Sequence, residues 1–472
     1  MVDRSGLVES LVERLVSPGG GSVSVTAAVE GAGGFGKTTL AAAVCARDDV
    51  RRRYPGGLVW TTIGESAAGA ELAALVNDVC EMLTGNRPAT SDAMVAGAAL
   101  GSALDSRADT LVVLDDVWTT QQLAPFLVGG SSSRRLVTTR NRGLLPRGTE
   151  SVLVDAMSRA EAAEALQLGL IGLTPRAAER LLEMTGGWPV LLGLVNAAIL
   201  DRVTDGASPD QAAQWVETRL ASDGPTALDV TDDHTRNRAV ASTIGVSLHR
   251  ITSTEQNLYT LLAIFPEDVD IPADILALLW GTAGQLTASQ SEVLRERLVR
   301  LRLVTGRWVD GRPAVRLHDV LRDYLRRRYT PSSLAAAHRT FLTAARTLIP
   351  ASPDSAWWSL PEEVRYLWRF LPWHLREAGA NAELTALLED LRWTLAKTEQ
   401  LGTVVAVEAD LNLADSPIIR KLRRVAAQNA HILTPLTAAG ALGPTLLSRL
   451  VLQPDFCDRL DLVGGPWVAG PA

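Results

Sequence analysis

Lysine is nearly absent from this chain: only three of its 46 Lys+Arg residues are lysines, Lys37, Lys397 and Lys421. Cysteine is as scarce, with Cys45, Cys80 and Cys457 scattered and odd in number. That excludes a disulfide framework and a thiolate metal cluster, and it suits a reducing cytoplasm. Positive charge does not dominate either, since the net charge is −7 and the pI about 5.5. Nucleic acid is therefore not the default partner. The longest uncharged run, Met184–Leu200, is short for a membrane span and is broken by Gly186, Gly187 and Pro189. It reads as a buried helix, so no membrane partner is expected. No secretory leader opens the chain, because Asp3 and Arg4 are followed at once by a mixed polar stretch. What is present is a globular composition, 47% hydrophobic and 21% charged. A chain of 472 residues exceeds one core and implies roughly three to four domains.

The scarcity of lysine gives weight to where Lys37 sits. Gly31-Ala32-Gly33-Gly34-Phe35-Gly36-Lys37-Thr38-Thr39 is a complete G-x-x-x-x-G-K-[ST] phosphate loop. The apolar run Val23–Val29 leads into it and an Ala-rich run leaves it, which is strand–loop–helix context. Glycines let backbone N–H groups turn toward phosphate oxygens, and the helix N-terminus adds partial positive charge. Lys37 would reach the β- and γ-phosphates of ATP, and Thr38 would hold Mg²⁺. A guanidinium does not replace a compact ammonium there, which accounts for lysine at this one position of an arginine-rich chain.

Short apolar runs at Val23–Val29, Gly57–Thr62, Thr110–Leu114, Arg135–Thr139 and Ser151–Val154 alternate with helical patterns. This predicts a parallel sheet with helices on both faces. Beyond it the pattern is helical, with capping boxes at Ser158–Glu161, Ser208–Gln211, Ser253–Gln256 and Ser289–Glu292 and a helix start at Thr174-Pro175. A helix over Glu292–Leu301, then Leu303–Val309, Asp310-Gly311, Ala314–Leu317 and a helix from Asp319, is the layout of a winged helix. From 331 on the pattern is helical and rich in Trp, which reads as interhelical packing.

Two further motifs complete a nucleotide site. The strand Leu111–Leu114 ends in Asp115-Asp116, a Walker B pattern. Asp115 would hold Mg²⁺ with Thr38, and Asp116 would orient the attacking water. Thr138-Thr139-Arg140 ends the next strand, where Arg140 would sense the γ-phosphate. The candidate catalytic set is Lys37, Asp115, Asp116 and Arg140. The remaining histidines, His234, His249, His338, His374 and His431, show no ligand spacing.

Val2-Asp3-Arg4, the Gly31–Thr39 loop, Leu114–Trp118, Thr138–Arg140, Gly187–Val190 and Leu317-His318-Asp319 occur in the order of the NB-ARC module. The chain resembles that module of the STAND class of signalling NTPases over about residues 1–330. The resemblance implies an α/β P-loop domain (1–155), a helical domain (156–232), a winged helix (233–330) and a C-terminal helical domain (331–472). It implies that Val2 and Arg4 border the adenine and that Pro189 packs near it. It also implies that Gly31, Gly33, Gly34, Phe35, Gly36, Lys37, Thr38 and Thr39 wrap the phosphates. His318 would contact the ADP β-phosphate from the winged helix. Leu317 stands where the family more often has Met, and Trp188 where it has a smaller side chain. The implied function is an ADP/ATP switch with slow ATP hydrolysis that oligomerises with itself when active, in bacterial defence or signalling. Effector and sensor would be separate from this sequence, and the trigger is unspecified. Two alternatives stay open: an ATP-gated regulator binding DNA through the winged-helix arginines, and a continuously cycling ATPase.

Overall fold

The computed structural model describes residues 4–17, 25–30, 35–65, 67–88, 90–154, 156–223, 233–267, 269–352, 355–401, 405–433, 442–450 and 456. Val2, Gly31, Gly33 and Gly34 lie outside the described residues.

Five strands form the first body: β1 (Val25–Glu30), β2 (Leu58–Thr62), β3 (Leu111–Val117), β4 (Arg134–Thr139) and β5 (Ser151–Leu153). All pair in parallel in the order β2-β3-β4-β1-β5. The sheet carries α1 (Ser5–Val16), α2 (Lys37–Cys45), α3 (Asp48–Arg53), α4 (Gly69–Thr84), α5 (Ala93–Asp105) and the short α6 (Thr120–Leu123). The period of two decides which face each residue fills. On β3, Leu111 and Val113 join Leu11, Leu15 and Val44 of α1 and α2, while Val112 and Leu114 join Val76 and Leu100 of α4 and α5. Helices thus cover both faces, as parallel strands require. Tyr54 pins the first face by donating its hydroxyl to the Leu15 carbonyl at 2.7 Å.

Four helices follow: α7 (Arg159–Gln167), α8 (Pro175–Thr185), α9 (Pro189–Thr204) and α10 (Pro209–Asp223). They share one core of Leu166, Leu181, Leu192, Val195 and Val216. The capping box at Ser158–Glu161 and the Thr174 cap are formed. The uncharged run divides at Gly186 and Gly187 between the end of α8 and α9, and α9 is buried along most of its length. Its one buried amide, Asn196, donates to the Leu166 and Leu168 carbonyls at 2.8 and 2.9 Å.

The third set is α11 (Asp233–Leu248), α12 (Ser253–Thr260), α13 (Ala273–Gly284), α14 (Ala288–Arg300) and α15 (Asp319–Arg326), with β6 (Asp270–Pro272), β7 (Thr305–Val309) and β8 (Arg312–Arg316). The strands form an antiparallel sheet in the order β6-β8-β7. Asp310 and Gly311 turn the β7–β8 hairpin with φ of 50° and 73°, as a two-residue hairpin turn demands. Three details differ from the sequence reading. The caps are Thr252 with Glu255 and Thr287 with Gln290, so α14 begins at Ala288 rather than Glu292. The strand β6 was not foreseen; Pro272 confines it to the sheet edge.

The remaining helices are α16 (Pro331–Arg346), α17 (Arg365–Glu377), α18 (Asn381–Glu389), α19 (Leu391–Leu401), α20 (Val405–Leu411), α21 (Pro417–Leu433) and α22 (Leu442–Leu450). Trp368 and Trp393 stack at 5.1 Å between α17 and α19, so this part of the Trp-rich segment is core packing. His338 and His374 form a buried pair, Nδ1 to Nδ1 at 3.0 Å, with the Tyr366 hydroxyl 2.8 Å from His374 Nε2. Burial pushes both imidazoles to low pKa and keeps them neutral.

The first body tolerates no added bulk where α5 meets the chain after α6. A Cβ at Gly97 would sit 2.4 Å from the Pro125 carbonyl oxygen, whereas one at Gly6 in α1 would meet nothing within 4 Å. Gly97→Ala is expected to destabilise by about 1–3 kcal/mol. Gly6→Ala should stabilise by about 0.5–1 kcal/mol. Urea denaturation curves of the two variants check this; equal midpoints would contradict the packing described.

Candidate functional site

Gly36 ends the phosphate loop as the N-cap of α2, with φ +86°, a conformation suited to glycine. Lys37 follows as the first helical residue and is 9% exposed. Thr38 then points its hydroxyl at β3, Oγ1 lying 2.9 Å and 3.2 Å from the Asp115 carboxylate oxygens. Thr138 of β4 donates to the same carboxylate at 2.6 Å and accepts from the Asp116 N–H at 2.8 Å. The pairing register shifts between Leu114 and Val117, and Asp116 has φ 56°. For a non-glycine residue this is a strained conformation of the kind concentrated at functional sites. The Trp118 indole N–H donates to Asp116 Oδ2 at 2.8 Å.

Arg140, one residue beyond β4, turns toward the third set of elements. Its Nη2 lies 2.9 Å from Glu267 Oε1 and 2.5 Å from Asp319 Oδ2, while its Nε is 3.9 Å from Asp116. The guanidinium rests 4.4 Å from the centroid of the Trp118 ring. His318 caps α15, and its Nδ1 lies against the Asp319 carboxylate. A cavity of about 310 Å³ joins these groups, lined by Gly36, Lys37, Thr38, Thr39, Asp115, Asp116, Arg140 and His318, with Arg307 and Arg316 from the hairpin.

A second cavity of about 580 Å³ lies on the other side of Gly36 and Thr39. It is lined by Arg4, Val8, Phe35, Ala43, Met157, Pro189 and Arg302. Arg4 donates to the Phe35 carbonyl at 3.1 Å and stands 3.7 Å from Glu161. Phe35 stacks on Trp188 at 5.4 Å with planes 11° apart, so the bulky Trp188 serves as the floor under Phe35.

Burial shifts the charges at the site. Lys37 falls to about 8, through desolvation first and the nearby Arg140 second. Burial raises Asp115, with hydrogen bonds from Thr138 and Thr38 acting against it. Burial would also raise Asp319, but His318 and Arg140 outweigh it and hold the carboxyl well below the usual range. Arg140 likewise keeps its charge against burial because Asp319, Asp116 and Glu267 surround it.

The structure brings together every described residue of the sequence-derived site. Lys37, Thr38, Thr39, Asp115, Asp116, Arg140 and His318 meet at one cavity, and Arg4, Phe35 and Pro189 at the other. Glu267, Trp118 and Arg302 were not assigned roles. Glu267 lies 127 positions from Arg140, so no local spacing could reveal it. Four of the winged-helix arginines are engaged within the chain: Arg295 with Glu292, Arg297 with Glu255, Arg300 with Asp201 and Arg316 with Asp270. No helix among the described residues is long and apolar enough to cross a membrane.

Comparison with known proteins decides the family. The NB-ARC domain profile matches residues 4–166, and the APAF-1 helical domain profile matches residues 334–438. The chain carries an NB-ARC domain. It is 25% identical to human apoptotic protease-activating factor 1 over 463 residues, 92% of this chain and 34% of that protein. It is 30% identical to the regulatory protein AfsR of Streptomyces griseus over 330 residues, 68% of this chain and 32% of that protein. It thus spans about a third of the length of these relatives. A solved structure with the same fold is a STAND protein with a tetratricopeptide repeat sensor from Pyrococcus horikoshii. That match has 14% identity and a TM-score of 0.50, covering 99% of this chain and 72% of the other. The NB-ARC match makes the first body a P-loop NTPase domain.

Lys37 gives a pH test. Its pKa of about 8 in the folded protein lies below the ordinary 10.5, so the fold disfavours its charged form. Charging it costs stability below about pH 8 in the free protein, and that cost is relieved as pH rises through this value. Phosphate needs the charged form. Nucleotide affinity should therefore fall above about pH 8, up to about tenfold per pH unit. Titrations of labelled ADP between pH 7 and 9.5 check this, and a flat profile would contradict it.

Proposed function

We propose that the chain is the core of a signalling ATPase that works as an ADP/ATP-controlled conformational switch. The observation that carries this reading is the two-sided phosphate cavity. Lys37, Thr38 and Asp115 form one wall, while His318, Asp319 and Arg316, from beyond the α/β body, line the other. A nucleotide held by both walls stabilises their closed arrangement and is itself retained by it. The division at 1–155, 156–232, 233–330 and 331–472 is the proposed set of moving units.

In this reading ADP occupies the closed state, its base in the cavity beside Arg4 and Pro189 and its β-phosphate between Lys37 and His318. Val2 and the loop glycines Gly31, Gly33 and Gly34 complete the cradle. The Thr38 hydroxyl and the Asp115 carboxylate offer only oxygen ligands, which would suit a hard cation such as Mg²⁺. Bound there, Mg²⁺ would neutralise phosphate charge. ATP brings a third phosphate toward Arg140, which must then leave Glu267 and Asp319. Losing those pairs frees the winged-helix body, and the exposed faces assemble with further copies of the chain. Hydrolysis is slow and resets the switch. The relatives' names, an apoptotic protease-activating factor and a regulatory protein, support a signalling role; a part in defence, a cytoplasmic location and separately supplied effector and sensor belong to the same proposal.

Glu267→Gln removes one of the carboxylates on Arg140 while keeping the side chain's shape. We expect labelled ADP to dissociate about five- to twentyfold faster. With ATP, light scattering after size exclusion should show more oligomer than for wild type. Unchanged ADP release together with unchanged assembly would refute the lock, and Lys37→Ala binding nucleotide like wild type would refute the whole reading.

A further inference from the structure

Trp118 is anchored first through its backbone. Its N–H donates to the Gln122 side-chain oxygen at 2.9 Å. Gln122 is in turn fixed by the Thr119 capping box and by bonds to the Gly64 and Ala67 carbonyls at 2.9 and 3.0 Å. The indole is thereby left to meet Asp116 and Arg140, two residues that line the cavity. Its edge bonds Asp116 Oδ2, and its face carries Arg140. The acid and the guanidinium have opposite charge, yet they stand 3.9 Å apart rather than in a close pair. One rigid side chain holds both at that spacing.

We propose that Trp118 is the positioning residue of the hydrolytic site, setting the Asp116 carboxylate and the Arg140 guanidinium relative to the terminal phosphate. This rests on the ATPase reading above and adds how its reacting groups are aligned. In the step it serves, water attacks the terminal phosphorus and the bond to the bridging oxygen breaks. That oxygen leaves on ADP with the electron pair, and the water's proton ends on the released phosphate. Asp116 orients the water and Arg140 meets the terminal phosphate oxygens. With Oδ2 bonded to the indole, the carboxylate plane is fixed and Oδ1 is held in place for the water. Without the indole the carboxylate rotates freely and Arg140 can collapse onto it.

Phenylalanine separates the two functions, because it keeps an aromatic face for Arg140 and loses the donor to Asp116. In the full chain, Trp118→Phe should lower the single-turnover rate of ATP hydrolysis about tenfold, with ATP and ADP dissociation constants within about twofold of wild type. Trp118→Leu should show the same fall and also lose about three- to tenfold in its discrimination between ATP and ADP. In an Asp116→Asn background, Trp118→Phe should cost nothing further, because it acts through that carboxylate. Wild-type hydrolysis by Trp118→Phe, or additive losses in the double variant, would overturn the inference and leave the switch intact. Equal losses of binding and melting temperature in both single variants would also overturn it, showing a packing role only. A wild-type chain that binds no nucleotide would remove the ATPase reading, and this inference with it.

Discussion

Arg140 sets one positive charge against three carboxylates. Asp116 belongs to its own sheet, while Glu267 and Asp319 come from elements that follow the helical segment. In a buried setting such pairs are strong only while every member is present, and removing one partner leaves a charge uncompensated. The packing of these elements therefore depends on a charge that, in the proposed switch, a nucleotide's terminal phosphate also claims. Lys37 adds to this balance. Burial and the nearby Arg140 both disfavour its ammonium. A bound phosphate anion would offset that cost.

Much of the first body was legible in the sequence because its signals are local. Five apolar runs became five parallel strands, and the loop, the double acid and Arg140 fell at strand ends where the sheet order brings them together. The caps at Ser158, Thr174 and Ser208 were legible in register, whereas those before α12 and α14 were legible only in kind. Thr252–Glu255 and Ser253–Gln256 fit the same template one residue apart, and the choice was made by Gln256, which is occupied by the Leu248 and Ile251 carbonyls. A three-residue strand ending in proline has no periodicity to detect, so β6 was invisible. Glu267 was invisible for a different reason, since its role exists only once separate bodies pack.

Sequence reading also gave the arginines around α14 two readings, a DNA-facing surface or an intramolecular one. Their partners within the chain, including Asp201 of α9 and Glu255 of α12, show how an arginine-rich, net-acidic protein spends its positive charge. Arginine forms these planar pairs better than lysine does. The chain keeps lysine where a compact ammonium is needed, at the phosphate loop. It keeps it again at the buried Lys397–Asp410 pair in the C-terminal helices.

The central claim is that the closed arrangement is built around a bound nucleoside diphosphate. The most direct test is to denature the purified protein and identify and count the released nucleotide by chromatography. The account expects about one ADP per chain. A chain that releases nothing, or that carries ATP exchanging freely with solution, would contradict it.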